Sequence, residues 1–252
     1  RLQRDLDNHA KFLHMPRKKI LIAGSSGLIG TQLVAFLDTG DHEVWRLVRR
    51  ESDPNKNEIT WNPDKGEIDS KELEGFDVVI HLGGVGIGDK RWSKKRKDAI
   101  RDSRVNSSKL LSKTLANLDN KPNLFMLASA IGFYGNRGDE ELDESSSGGE
   151  LGYFLTDVCS EWENSANPAK EVGIRTISLR TGIVISAVGG ALGKMLLPAK
   201  MGAGGPIGSG KQWMSWISMD DQIYSMYHLM MSEDTSGEYN LTAPNPVRQK
   251  QF

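Results

Sequence analysis

Residues 19–30 read KILIAGSSGLIG, and the order of residue types in them decides the fold. KILIA is a short apolar run of the length and composition of a buried strand. GSSGLIG follows at once, and Ile29, Leu33, Phe36 and Leu37 then recur at helical spacing until Gly40 closes the segment. A strand, a glycine-rich turn and an amphipathic helix in that order place free peptide N–H groups and the positive end of a helix dipole at the turn, where an anion is favoured. Gly24 permits the tight turn, Gly27 lets a pyrophosphate approach the backbone, and Gly30 lets the helix pack close to the strand. The motif predicts dinucleotide binding, with Gly24, Ser26, Gly27, Leu28 and Ile29 as its candidate residues.

Working outward, apolar runs alternate with helical patterns. Strands are predicted at 43–48, 58–61, 77–82, 123–128 and 174–180, and helices at 94–117 and 153–167. This alternation predicts an α/β fold of the Rossmann type, a doubly wound parallel sheet covered on both faces. YSMYHLMM (224–231) reads as an apolar helix on that sheet. Residues 186–212 are rich in Gly and read as a mobile loop around one short helix, part of a substrate-facing lobe. The expected division is a tail at 1–17, a dinucleotide domain at 18–185 and a small lobe at 186–252 interleaved with the last sheet elements. The tail is polar, basic and without the apolar run of a secretory signal; it is expected to be the remnant of a preceding segment. A further segment is expected beyond NPVRQKQF (245–252).

The second strand chooses the dinucleotide. NAD binders place an acidic residue about 20 residues past the turn, on the ribose hydroxyl. Here the strand ends in Arg49-Arg50, and two guanidiniums suit a 2′-phosphate that a carboxylate would repel. NADP is therefore the predicted cofactor, with Arg49 and Arg50 on its phosphate. The third strong strand runs into HLGGVGIG (81–88), and Leu82, Gly83 and Gly84 are the predicted wall on the ribose and nicotinamide side.

The bulk numbers bound the rest. The 252 residues carry a net charge of -1, with 38% hydrophobic and 26% charged residues, as in ordinary globular proteins. No field for nucleic acid or an anionic membrane follows from that charge, and no apolar run reaches the roughly 20 residues of a membrane span. The basic run 89–104 holds eight Lys or Arg, but interspersed Asp makes it a solvated face. One cysteine, Cys159, excludes an internal disulfide and fits a reducing, cytoplasmic setting. Five histidines show no metal-ligand spacing, so no metal is expected. A small-molecule substrate is the expected partner, and a homodimer is an open option.

GSSGLIG, HLGG, Arg91-Trp92, SRV (103–105), SAIGFYG (129–135), CSEWE (159–163), LRTGIVI (179–185), GGPIGSGKQWMSWI (204–217) and NLTAPNPV (240–247) together resemble the extended short-chain dehydrogenase/reductase superfamily. Within it the chain is similar to the epimerase-family proteins described as nucleoside-diphosphate-sugar epimerase-like or cell-division-inhibitor-like. The resemblance implies a Rossmann fold and NADP binding. It also implies a catalytic Tyr with a Lys four residues on, and a Ser at the preceding strand end. Tyr153 occupies the tyrosine place, but Asp157 occupies the lysine place, where a carboxylate opposes phenolate formation. Ser129 is close to the serine place, yet Ala130 stands where the hydroxyl belongs. Tyr134 has two readings, one facing substrate and one packed at a strand end. Met214 stands where nucleotide-sugar enzymes carry a diphosphate-gripping Arg, which favours a smaller substrate, although Lys194, Lys200 and Lys211 offer anion contacts. Asp220 and Asp221 read as helix caps. Two functions remain: an NADP-dependent oxidoreductase or epimerase using Ser129, Tyr134 or Tyr153 on a small hydroxyl or carbonyl compound, or an NADP-binding sensor or scaffold with little turnover.

Overall fold

The computed structural model describes residues 16–202 and 204–251, so residues 1–15 of the expected tail lie outside it. Strands β1 (Lys19–Ala23), β2 (Glu43–Val48), β3 (Glu58–Asn62), β4 (Glu67–Ile68), β5 (Val78–His81), β6 (Leu124–Ala130), β7 (Arg175–Thr181) and β11 (Gly237–Leu241) form one eight-stranded sheet. Its order is β11-β7-β6-β5-β1-β2-β3-β4, parallel throughout except for the β3–β4 edge. The strand order reverses at β1, whose neighbours are β5 and β2. Ala23 pairs with both His81 and Leu47, so the loops leaving β1, β5 and β2 open at one edge, where an open parallel sheet has its ligand crevice.

The sheet strands are apolar on both faces because both faces are covered. Ile20, Ile22, Val78, Ile80, Leu124 and Met126 pack against α1 (Leu28–Leu37) and α6 (Met219–Met231). Leu21, Val79, Phe125 and Leu127 face the other way, toward α2 (Lys94–Ala116), α3 (Phe154–Asn164) and α4 (Asn167–Glu171). The Met-rich segment is thus the core helix its composition predicted, with Met226 and Met230 buried. Ser218 caps it, accepting from the Asp221 amide at 3.0 Å and donating to the Asp221 carboxylate at 2.7 Å.

Three expectations need revision. The single helix expected over 153–167 is two, because Pro168 lacks an amide hydrogen and fits only the first turn of a new helix. The Gly-rich stretch holds a longer helix than expected, α5 (Gly190–Lys200). Around it lie two small ladders absent from the sequence reading: β8 (Ile183–Ile185) runs parallel to β10 (Trp216–Ser218), and β9 (Trp213–Met214) runs antiparallel to β12 (Val247–Arg248). Strands of two or three residues carry too little periodicity to be read from sequence.

β5 ends on an unusual core residue. His81 is fully buried, its ring meets Trp61 edge-on at 5.8 Å, and neither ring nitrogen has a hydrogen-bond partner among the described residues. Burial, helped by the positive charges of Arg49 and Arg104, lowers its pKa from 6.5 to about 4. The unfolded chain therefore takes up a proton as pH falls below about 6.5, while the folded chain refuses it until about 4. Stability from this group is complete above that window and is lost as pH falls through it, by about 3 kcal/mol in all. Urea unfolding of His81→Leu at neutral pH and near pH 4.5 is expected to show a shallower acid loss than the parent protein; parallel curves would show that the ring does not titrate in this way.

Candidate cofactor cleft and its surroundings

Gly24 leaves β1 with φ +84°, a conformation that side chains resist. A Cβ there would stand 2.6 Å from the Gly83 nitrogen, and one at Gly30 would stand 2.2 Å from the Gly24 carbonyl oxygen. The turn is thus wedged between the β5 exit and the first turn of α1. A Cβ at Gly27 would meet only the Gly24 oxygen, at 3.3 Å, which leaves its outer side open. Gly27 caps α1 without a side-chain hydrogen bond, and no acidic residue occupies the first helical turn. The free N–H groups there are aimed at an anion.

In front of the turn lies a cleft of about 740 Å³. Of the expected residues, Gly24, Ser26, Gly27, Arg49, Arg50, Leu82, Gly83 and Gly84 line it. Leu28 and Ile29 do not: Leu28 faces the Gly189-Gly190 turn before α5, and Ile29 packs into the core. Arg46, Glu58, Trp61 and Val85 line the cleft unannounced by the sequence reading.

The two arginines differ in the structure. Arg50 forks onto Glu58, donating at 2.8 and 2.6 Å. These bonds, with the Asp53 amide, hold the Glu58 carboxyl down to about 2. Arg49 has only a loose contact with Asp64 at 3.8 Å, between exposed side chains. Arg49 is therefore free for a phosphate, whereas Arg50 is committed to a neighbouring carboxylate.

Ser129 and Tyr134 belong to a buried polar network beside the cleft. Ser129 Oγ donates to Glu163 at 2.6 Å, and Arg180 forks onto the same carboxylate at 2.9 Å. Arg180 also donates to the Tyr134 hydroxyl at 3.0 Å, and that hydroxyl donates to Asn240 at 2.8 Å. Register pairing of Ser129 with Arg180 across β6 and β7 brings the first members together. Both hydroxyls are thus engaged in the interior. Tyr153 is 63% exposed, at the N-cap of α3, and its hydroxyl bonds to no described residue. Asp157, one turn on, accepts from the Gly152 amide at 3.0 Å and so fixes the approach to the helix. Cys159 is buried and its thiol is pushed up to about 12 by burial and by Glu163, which makes it a packing residue.

Polar bonds close the rim. Lys194 of α5 donates to the Gly88 carbonyl at 2.7 Å and to Asp89 at 2.9 Å, tying the Gly-rich segment to the β5 exit loop. The acidic segment 139–150 is anchored: Asp139 accepts from Trp213 at 2.9 Å and from Arg248 at 2.7 Å, and Glu144 accepts from the Asn240 amide at 2.7 Å. Trp92 donates to the Ile87 carbonyl and meets Phe154 edge-on at 5.3 Å, so it bridges the exit loop and α3. Among the described residues no helix is long and apolar enough to cross a membrane.

Comparison with known proteins agrees with this architecture. The model of the NAD dependent epimerase/dehydratase family matches residues 20–242. An epimerase family protein of Mycobacterium bovis is 41% identical over 238 residues, 94% of this chain and 77% of the relative. The crystal structure of a nucleoside-diphosphate sugar epimerase from Corynebacterium glutamicum superposes with a TM-score of 0.82 at 38% identity, covering 99% of this chain; the chain spans 53% of that longer protein. A human epimerase family protein, solved with NADPH, superposes with a TM-score of 0.83 at 29% identity over 92% of this chain and 77% of its own. On the fold, the glycine turn and these matches, the chain belongs to the NAD dependent epimerase/dehydratase family.

Proposed function

We propose that the chain binds NADP in this cleft and is an oxidoreductase or epimerase acting on a small hydroxyl- or carbonyl-bearing compound in the cytoplasm. The observation that carries the cofactor reading is Arg49, an arginine just past the end of β2 held only by a loose, exposed contact with Asp64, on a cleft whose floor is the glycine turn. The residues present fit the group. The open side of Gly27 and the uncapped start of α1 suit the pyrophosphate, and Arg49 suits the 2′-phosphate. The human relative solved with NADPH supports the same choice. When bound, NADP supplies redox chemistry at its nicotinamide ring; the chain's part is to bind it, orient it and manage a substrate proton.

Among the three candidate proton-handling groups, Tyr153 is the one whose hydroxyl is not already engaged. Ser129 and Tyr134 support the site from below through Glu163 and Arg180. These engagements, with Asp157 in the lysine place, favour the second reading, an NADP-binding sensor with little turnover. The two separate on one experiment: NADPH-loaded protein is offered a broad panel of carbonyl compounds and its oxidation is followed. Turnover supports the enzyme, and tight binding with no oxidation across the panel supports the sensor.

Arg49→Ala is expected to weaken NADPH about tenfold or more while leaving NADH nearly unchanged, because one charge-assisted contact is removed. Fluorescence titration with both nucleotides checks this, and equal losses would remove the 2′-phosphate from Arg49. Tyr134→Phe is expected to cost about 1–3 kcal/mol of stability by leaving buried Arg180 and Asn240 short of a partner. Tyr153→Phe is expected to leave the thermal midpoint unmoved and to lower turnover on any substrate the panel finds. Calorimetry beside the activity assay tells a supporting residue from a reacting one.

A further inference from the structure

Arg96 and Arg104 lie on the same face of α2, turned toward the loop that leaves β5. Arg96 donates to the Gly86 carbonyl and stands 3.7 Å from Asp89. Its Nε is buried without a hydrogen-bond partner. Arg104 donates through Nη1 alone, to the carbonyls of Val85 and Ile100 at 3.0 Å each. Its Nε and Nη2 bond to no described residue, and unlike Arg96 Nε they are not sealed from solvent. The Trp162 ring lies 5.1 Å from the guanidinium carbon. On another side is Gly84, where a Cβ would come within 3.0 Å of that carbon. Gly84 lines the cleft and Arg104 does not, so the charge sits behind that stretch of the wall.

The charge balance there is incomplete. Asp89 is the one carboxylate within ion-pair distance of Arg96, Arg104 or Lys194 among the described residues, and it is shared by Arg96 and Lys194. Arg104 has none. Burial and the charge of Arg96 both act against its protonated form, yet a guanidinium stays charged. A partly desolvated cation with two unused donors beside a ligand cleft is a receptor waiting for an anion. The unused donors are specific: Nε–H and Nη2–H lie along one edge of the planar group and run parallel, the spacing that meets both oxygens of one carboxylate. The pyrophosphate already has donors at the start of α1, on the Gly24 side of the β5 exit, while Arg104 lies on the α2 side.

We propose that Arg104 receives a substrate carboxylate, so that the compound acted on is a small hydroxy or oxo acid; this rests on the reading of the cleft as the NADP site. The absence of a diphosphate-gripping arginine at Met214 agrees with a small acid better than with a nucleotide sugar.

The test is titration calorimetry on the protein with and without NADPH, using lactate and succinate, their neutral amides, and inorganic phosphate. The wild type is expected to bind the acids at least about tenfold more tightly than the amides. Arg104→Gln is expected to erase that preference, and so is Gly84→Ala, whose new methyl would crowd the guanidinium carbon and Nη1. Arg101→Gln, an exposed change on the same helix, is expected to keep it, and NADPH affinity is expected to stay within about twofold in Arg104→Gln and Arg101→Gln. No preference for the acids in the wild type, or its survival in both Arg104→Gln and Gly84→Ala, overturns the proposal. A loss of NADPH affinity in Arg104→Gln reassigns the side chain to the cofactor, and tighter binding of phosphate than of the acids reassigns the ligand; either outcome overturns it. Acid binding that depends on Arg104 in a wild type that binds no NADPH would uphold the anion site and overturn the cofactor reading instead.

Discussion

The fit of Gly24 between Gly83 and Gly30 is the constraint on which the rest of the structure depends. Two strand exits and a helix start meet there within contact distance of backbone atoms, and a single methyl group at either Gly24 or Gly30 would collide with main chain. Main chain cannot turn aside as a side-chain tip can, so relief would require β1, β5 or α1 to move. The strands lie in the core, with Ile20, Leu21, Ile22 and Ala23 of β1 fully inaccessible. Close packing makes such an interior stiff, and the turn inherits its precision from that stiffness. The cleft exists because the sheet reverses its strand order at this point and leaves nothing above the turn.

Around the cleft the charges fall into two kinds. Some are neutralised internally: Arg50 by Glu58, and Arg180 by Glu163 with Ser129 and Tyr134 joined to them. A buried pair such as Arg180–Glu163 adds little net stability, but removing one partner is costly, so it fixes geometry. The Arg180 network holds the ends of β6, β7 and β11 and the acidic segment in one arrangement. Others are less compensated: Arg49 lines the cleft with only the exposed Asp64 at 3.8 Å, and Arg104 stands behind Gly84 with no carboxylate within ion-pair distance among the described residues. A residue type alone does not distinguish these kinds. The presence or absence of a counter-charge on a neighbouring element does.

Much of this was legible in the chain itself. The main strands and the long helix of the sheet were readable to within a residue or two, since an apolar run buried on both sides has no alternative in water. The glycine turn was readable because three glycines between a strand and a helix have few other uses. Ser129 and Tyr134 were visible as candidates through family resemblance, but their engagement was not, because Glu163 on α3, Arg180 on β7 and Asn240 on β11 are remote in sequence and meet only in the folded chain. The anchoring of the acidic segment escaped for the same reason, with Asp139 reaching Trp213 and Arg248.

By itself, then, the order of residues determined which segments become strands and helices, that the sheet is parallel and doubly covered, and where a glycine turn opens a helix start. These follow from periodicity and from the steric demands of glycine, both local properties. Tertiary structure alone decided which of two adjacent arginines is free, which hydroxyls are already engaged, and that Arg104 stands uncompensated beside the cleft. Those are questions of which charge or donor lies within a few ångströms of another, and the answer is set by the folding of distant segments against one another.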